Sequence, residues 1–255
     1  MRFASLGSGS RGNALLVESG ATRLLLDCGF GPRETVLKLC RLGLSPEDLS
    51  GILVTHEHSD HVTGAFKLAR RHQLTLWMTH GTFAAASQGI SELPTVELID
   101  SHKAFPIGDL EIHPFPVPHD AREPVQFVFS DGRHRLGVVT DLGSTTPHVE
   151  RMLTGCDALV LECNHDGDML QRGSYPAHLK RRISGRLGHL DNSASAALLA
   201  SVQPQGLQHL IAAHLSLQNN TPALVRAALA GVLGCVEDWV GVANQNAGFD
   251  WRDLL

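Results

Sequence analysis

Thr55-His56-Glu57-His58-Ser59-Asp60-His61 decides how this chain is read. Three histidines and an aspartate fall in the spacing H-x-H-x-D-H. Gly51-Ile52-Leu53-Val54, just before, reads as a short buried strand. Val62 to Arg71, just after, reads as a helix with Ala65, Leu68 and Ala69 on one face. The cluster therefore stands where a strand ends and a helix begins, the position at which open α/β sheets place their chemistry. Histidines at i and i+2 of an extended turn point the same way. The aspartate and third histidine reach a second point a few ångströms on. Imidazole with carboxylate suits zinc, iron or manganese. A lone H-x-H is usually a solvated turn; His56, His58, Asp60 and His61 within six positions are not.

At 255 residues the chain is long enough for one large domain. No linker, repeat or low-complexity stretch divides it, so 1–255 is expected to be a single domain. Hydrophobic residues at 43% and charged residues at 18% are ordinary for a soluble enzyme. No apolar run approaches the ~18 residues that span a bilayer. Met1 to Gly7 runs into a strand and a glycine turn without a signal peptide's apolar stretch, so a cytoplasmic location is expected. Five cysteines form no C-x-x-C, which fits buried thiols in a reducing compartment. A net charge of −5 argues against a generally basic nucleic-acid coat and leaves room for a local basic patch. The sequence does not speak to oligomeric state.

Arg2 to Leu6, Ala14 to Glu18 and Thr22 to Asp27 read as strands parted by glycine turns. The first connection, Gly7 to Asn13, includes Ser8, Ser10 and Asn13; its backbone N–H groups suit a phosphate nest or a flexible turn equally. Pro32 to Leu42 reads as a helix with proline in its first turn. Leu74 to Met78 reads as a strand and Gly81 to Ser87 as a helix. Val96 to Ile99, Ala104 to Ile107 and Leu110 to Phe115 read as strands of a second sheet, the last two joined by Gly108-Asp109. Val125 to Ser130, Arg135 to Thr140, Ala158 to Glu162 and Leu207 to Ala212 are further strands, and Val236 to Val242 begins the last strand and tail. Thr145 to Leu153 reads as a helix, as does the stretch from an Asn192 or Ser193 cap to Ser201, and another opens at Thr221-Pro222.

Polar residues collect at the ends of these strands. His119 follows Pro116-Val117-Pro118, where the prolines hold the backbone extended. Asp141 sits between a strand terminus and Gly143, a rigid mount with open space in front. Glu162 begins a polar cluster, Glu162-Cys163-Asn164-His165-Asp166, that points to the same rim. His214 again falls just past a strand. Tyr175 to Arg186 carries Lys180, Arg181, Arg182 and Arg186, the densest positive charge in an acidic chain. A solvated helix face is one reading. Phosphate contact is the other, and Lys180, Arg181 and Arg186 are its candidates.

The motif after its apolar strand resembles the signature of the metallo-β-lactamase superfamily. Leu6 to Asn13, Thr140-Asp141-Leu142-Gly143, Glu162 to Asp166, Gly188-His189-Leu190 and Ala213 to Asn220 follow in an order similar to the YycJ/WalJ group, relatives of ribonuclease Z and of a phosphonate-pathway cyclic phosphodiesterase. His58 stands where the oxygen-reducing di-iron branch carries glutamate, which favours hydrolysis. The resemblance covers nearly the whole chain. It implies a four-layer αβ/βα sandwich with two divalent metals. His56, His58 and His119 would hold one ion, Asp60, His61 and His214 the other, with Asp141 bridging. Asp27 and Glu162 would orient ligands from behind, and His189 would be the proton donor. Asp191-Asn192 departs from the Ser-Asn that relatives often carry.

The implied chemistry is phosphodiester hydrolysis. A water shared by two metals becomes hydroxide near neutral pH and attacks phosphorus, while Asp60 orients it and His189 protonates the leaving oxygen. By resemblance the substrate is nucleic acid, DNA before RNA, degraded 5′ to 3′. The alternative is a hydrolase of a small ester, such as a cyclic nucleotide, thioester or lactone. The acidic charge and the 5% aromatic content lean that way, since single-strand binders usually offer stacking rings.

Overall fold

The computed structural model describes residues 1–202, 204 and 206–255. Strands β1 (Arg2–Gly7), β2 (Ala14–Ser19), β3 (Thr22–Leu26), β4 (Gly51–Leu53), β5 (Thr75–Thr79) and β6 (Val96–Ile99) form one sheet in sequence order. Strands β7 (Phe105–Ile107), β8 (Leu110–Pro116), β9 (Val125–Ser130), β10 (Arg135–Val139), β11 (Ala158–Glu162), β12 (His209–Ala213) and β13 (Gly241–Val242) form the other. The last strand, β14 (Phe249–Asp253), returns to the first sheet beside β1. Each sheet begins antiparallel and becomes parallel, from β3 onward in the first and from β10 onward in the second.

Apolar runs explain the layering. Leu24-Leu25-Leu26 and Ile52-Leu53-Val54 are apolar at successive positions, so both faces of their strands are buried. One face of each sheet meets the other across a core that joins Phe3, Leu24 and Leu53 to Phe127, Phe129 and Val160. The outer face of the first sheet packs on α1 (Pro32–Arg41) and α3 (Ala65–His72) through Leu39, Phe66 and Leu68; α2 (Ser59–Val62) and α4 (His80–Ala86) stand on the same half of the chain. The outer face of the second sheet is covered by α5 (Pro147–Leu153), α8 (Asn192–Ser201) and α9 (Pro222–Leu233) through Leu153, Leu198 and Leu229. Two short helices, α6 (Gly167–Arg172) and α7 (Ala177–Ile183), sit between β11 and α8. The result is the four-layer αβ/βα sandwich that the resemblance implies.

Several elements differ from the sequence reading. Val96–Ile99 belongs to the first sheet, where it pairs in parallel with β5. The helix after the motif breaks at Thr63-Gly64, because the backbone turns inward and Gly64 N–H donates to the Cys28 carbonyl at 2.8 Å. Asp191, rather than Asn192 or Ser193, caps α8 by accepting from Ala194 N–H at 2.7 Å. Asn192 and Asn220 instead exchange amide hydrogen bonds at 2.9 and 2.8 Å, tying the starts of α8 and α9 together. The tail read as one strand from Val236 is a short 3-10 helix, Glu237–Trp239, followed by β13. Strand β14 and helix α6 lie outside that reading altogether.

The parallel strands fix where the chemistry sits. The motif follows β4, Asp141 follows β10, Glu162 ends β11 and His214 follows β12. All of these lie at the C-terminal rim of the sandwich.

Candidate active site

Six imidazoles gather at that rim, each fixed by a hydrogen bond from one ring nitrogen. His56 Nδ1 lies 2.9 Å from Thr55 Oγ1, whose hydroxyl reaches Asp27. His58 Nε2 donates to the Asp120 carbonyl at 3.2 Å, and His119 Nδ1 to the Gly188 carbonyl at 3.0 Å. His61 Nδ1 donates to Asp27 Oδ2 at 2.7 Å, and His214 Nδ1 to the Thr140 carbonyl at 2.8 Å. His189 Nδ1 donates to Glu162 Oε1 at 2.7 Å. In each ring the second nitrogen turns toward the site, where His61 Nε2 meets Asn13 Nδ2 at 3.1 Å and His58 Nδ1 meets His119 Nε2 at 3.3 Å, and partners that hold one nitrogen set the orientation and basicity of the other.

The site-facing atoms converge in two groups. His56, His58 and His119 can bring one nitrogen each within 4.8 Å of one another; Asp60, His61 and His214 form a second such group. Asp141 lies between them, with Oδ2 3.1 Å from His61 Nε2 and Oδ1 3.8 Å from His119 Nε2. His56 Nε2, His214 Nε2 and Asp141 Oδ2 are buried without a hydrogen-bond partner. Orphaned buried donors and acceptors carry a desolvation cost, and a cation at each group offsets it. The residues present thus fit two divalent ions. Glu162 also comes within reach of Asp141, His189 and His214. Its Oε1 faces the Nδ1 atoms of His189 and His214, and its Oε2 accepts from Leu142 N–H at 2.8 Å, so it supports the imidazoles from behind.

Burial holds the His56 imidazole well below the usual histidine range, and His119 below it too, as neutral ligands require. Burial acts the same way on His61 and His214, but the Asp141 charge and the other nearby carboxylates outweigh it and raise both well above that range. For His189 burial is outweighed by the Glu162 carboxylate, so its pKa is raised.

Backbone strain marks the supports. Asp27 and His214 adopt left-handed conformations, φ 61° and 55°. Non-glycine residues persist there when the surroundings over-determine them. Asp27 accepts from Thr55 N–H at 2.8 Å while holding His61, and His214 N–H donates to Ser8 Oγ at 2.9 Å. Gly29 packs beneath Asp60 so tightly that a Cβ there would overlap the Asp60 carbonyl.

The Gly7 to Asn13 loop is not an open phosphate nest. Ser8 N–H donates to the Asn244 carbonyl, Gly12 N–H to the Gly9 carbonyl and Asn13 N–H to the Asp60 carbonyl. Gly9 N–H donates to Asn13 Oδ1 and Arg11 N–H to Gln245 Oε1. Ser8 and Asn13 are themselves buried; Ser8 holds the His214 backbone, and Asn13 Nδ2 donates to Asp60 Oδ2 at 3.3 Å. Both act on metal-ligand candidates, and Ser10 alone of the three lines the space in front of those candidates.

That space is a cleft of about 350 Å³ in front of His58, Asp60, Asp141, His189 and His214. Tyr175, Leu179, Arg182 and Ile183 also line it, beside the polar Ser59, Asn164 and Ser216. Lys180, Arg181 and Arg186 are not in the lining: Lys180 Nζ turns to the Gln171 carbonyl at 2.6 Å, and Arg181 and Arg186 are exposed elsewhere. Leu179, Arg182 and Ile183 share one face of α7, at i, i+3 and i+4, while Tyr175 precedes the helix and its Pro176 cap. Arg182 Nε donates to Asp120 Oδ2 at 2.7 Å. Asp120, adjacent to His119, escaped the sequence reading; it links the α7 wall to His58.

A family model described as a beta-lactamase superfamily domain matches residues 22–214. The exodeoxyribonuclease YycJ of Bacillus anthracis is 38% identical over 237 residues, 91% of this chain and 89% of that protein. The exodeoxyribonuclease WalJ of Streptococcus pneumoniae is 31% identical over 245 residues, 94% of this chain and 91% of that one. Among solved structures, zinc-bound PqqB of Methylobacterium extorquens superposes with a TM-score of 0.75 at 21% identity, covering 100% of both chains, a likeness of fold.

Proposed function

This chain belongs to the metallo-β-lactamase superfamily, in the group of the YycJ and WalJ exodeoxyribonucleases, and from that premise we propose a two-metal phosphodiesterase that degrades DNA from the 5′ end. The observation that carries the phosphodiester reading is likeness to two exodeoxyribonucleases over nearly the full length. The cleft supports it, because His189, held by Glu162, opens onto the same space as the metal-ligand candidates.

His56, His58 and His119 would hold one ion, Asp60, His61 and His214 the second, and Asp141 would face both. Five imidazoles and two carboxylates make a donor set that accepts zinc, manganese or iron. When bound, such a pair supplies Lewis acidity and an activated water. The chain's own residues do the rest. Asp60, fixed by Asn13, orients the attacking group. Glu162 raises the His189 pKa, which favours an imidazole that can give a proton from its other nitrogen to the leaving oxygen. Tyr175 and Arg182 line the same cleft as these residues.

We read residues 1–255 as one domain, since the central core draws on both sheets. We also place the protein in the cytoplasm. Among the described residues no helix is long and apolar enough to cross a membrane, and the five cysteines are unpaired, in keeping with a reducing compartment.

The test is an activity panel on metal-quantified protein: 5′-phosphorylated duplex DNA, single-stranded DNA, RNA, a cyclic nucleotide and a thioester. Metal-dependent release of nucleotides from DNA, weakening steeply with salt, is the expected result. Turnover of the thioester or cyclic nucleotide alone, insensitive to salt, would refute the proposal.

A further inference from the structure

The part of the cleft lining contributed by α7 and Tyr175 is chemically unlike the metal-ligand candidates. Tyr175, Leu179 and Ile183 present a ring and two aliphatic side chains. Among the described residues Arg182 is the one arginine or lysine in the lining. Tyr175 is the single tyrosine of the chain and stands just before α7, which carries Leu179, Arg182 and Ile183 on one face. An apolar wall with one cation has the make-up of a site for one nucleotide, in which an aromatic ring stacks on the base and a guanidinium takes a phosphate.

The Arg182 side chain is preset for this. Its Nε is tied to Asp120 Oδ2 at 2.7 Å, while Asp120 N–H donates to the Leu187 carbonyl at 3.0 Å. The guanidinium therefore keeps its terminal nitrogens for a ligand while its root is fixed, which reduces the ordering cost of binding. A cleft of about 350 Å³ falls at the small end of ligand pockets, a size that suits one nucleotide.

Resting on the nuclease reading above, we propose that Tyr175, Leu179, Arg182 and Ile183 form a subsite for one unpaired nucleotide next to the scissile phosphate, with Tyr175 stacking on the base and Arg182 binding a phosphate.

The test uses the full-length, metal-loaded protein with thymidine 5′-monophosphate as the binding probe, and single-stranded DNA and bis(p-nitrophenyl) phosphate as substrates. Tyr175→Ala is expected to weaken nucleotide binding about tenfold and to lower kcat/KM for DNA, relative to the small diester, by a similar factor. Tyr175→Phe keeps the ring and should restore both. Arg182→Ala should reduce the salt dependence of DNA binding by about one in log–log slope. Metal content and Tm confirm that each variant is folded. Parental nucleotide affinity in folded, metal-replete Tyr175→Ala and Arg182→Ala proteins would overturn the subsite. Failure of the parent to cut any DNA would instead sink the nuclease reading, with nucleotide binding still judging the subsite by itself.

Discussion

Each imidazole at the rim has one nitrogen committed to a neighbour and one left for the site, and that division makes single side chains testable. His58 is partly exposed and holds the Asp120 carbonyl rather than core packing. His58→Ala should therefore keep the fold while metal content falls from about two ions per chain toward one and hydrolysis is lost; elemental analysis beside circular dichroism checks both. His189 differs, since Glu162 holds its Nδ1 and raises its pKa, which suits the proton-donor role proposed for it. His189→Ala should retain metal and lose about 10²–10⁴ in turnover on DNA. The loss should nearly vanish on a p-nitrophenyl ester, whose leaving group needs no proton. An equal loss on both substrates would remove His189 from that role. The metal-ligand candidates were legible from the sequence because type and spacing coincide at strand ends. Asp120 and Thr55 were not, because they act through a backbone carbonyl and a hydroxyl that no spacing advertises.

At the scale of elements, the strands were legible because runs such as Leu24-Leu25-Leu26 are apolar at successive positions and end in glycine or aspartate. Strand β14 was not, since Phe249–Asp253 finds its partner β1 at the opposite end of the chain. The fate of the Gly7 to Asn13 loop was also hidden. The N–H groups of Ser8, Arg11 and Asn13 are taken up by Asn244, Gln245 and Asp60, residues far away in sequence. A contact of the same long-range kind joins the two sheets. Asp131, in the β9–β10 turn, meets the Met1 amino group at 3.1 Å and accepts from His134 N–H at 2.7 Å and Arg133 N–H at 2.9 Å. Burial works against its charge, but these donors outweigh it and hold the carboxyl well below the usual range. A depressed folded pKa gives stability that is present above the ordinary carboxylate range and lost as pH falls through the folded value. Asp131→Asn should thus cost about 1–2 kcal/mol at pH 7, and the difference should shrink in acid. Urea titrations of both metal-free proteins at several pH values measure it. A gap that stays constant with pH would contradict the assignment.

For the whole molecule, the sandwich sets what solvent can reach. Cys28, Cys156 and Cys163 are buried, and burial pushes the first two thiols up to about 12 and about 11 and raises the third as well. Cys40 is exposed and Cys235 half-buried. Thiol reagents at pH 8 should modify Cys40 fast, Cys235 more slowly, and the other three only on unfolding; modification of Cys28 in the native protein would contradict this layering. The same sandwich sends the C-terminal ends of its parallel strands to one rim, and the account's central claim is that this rim cuts DNA with two metals. The most direct measurement is a time course on a single DNA strand labelled at either end, with metal-quantified protein before and after chelation. The account predicts that the 5′ label appears at once as a mononucleotide, that the 3′ label passes through progressively shorter strands, and that chelation abolishes both. An intact strand beside rapid hydrolysis of a thioester or cyclic nucleotide, or undiminished cutting after the metals are gone, would contradict it.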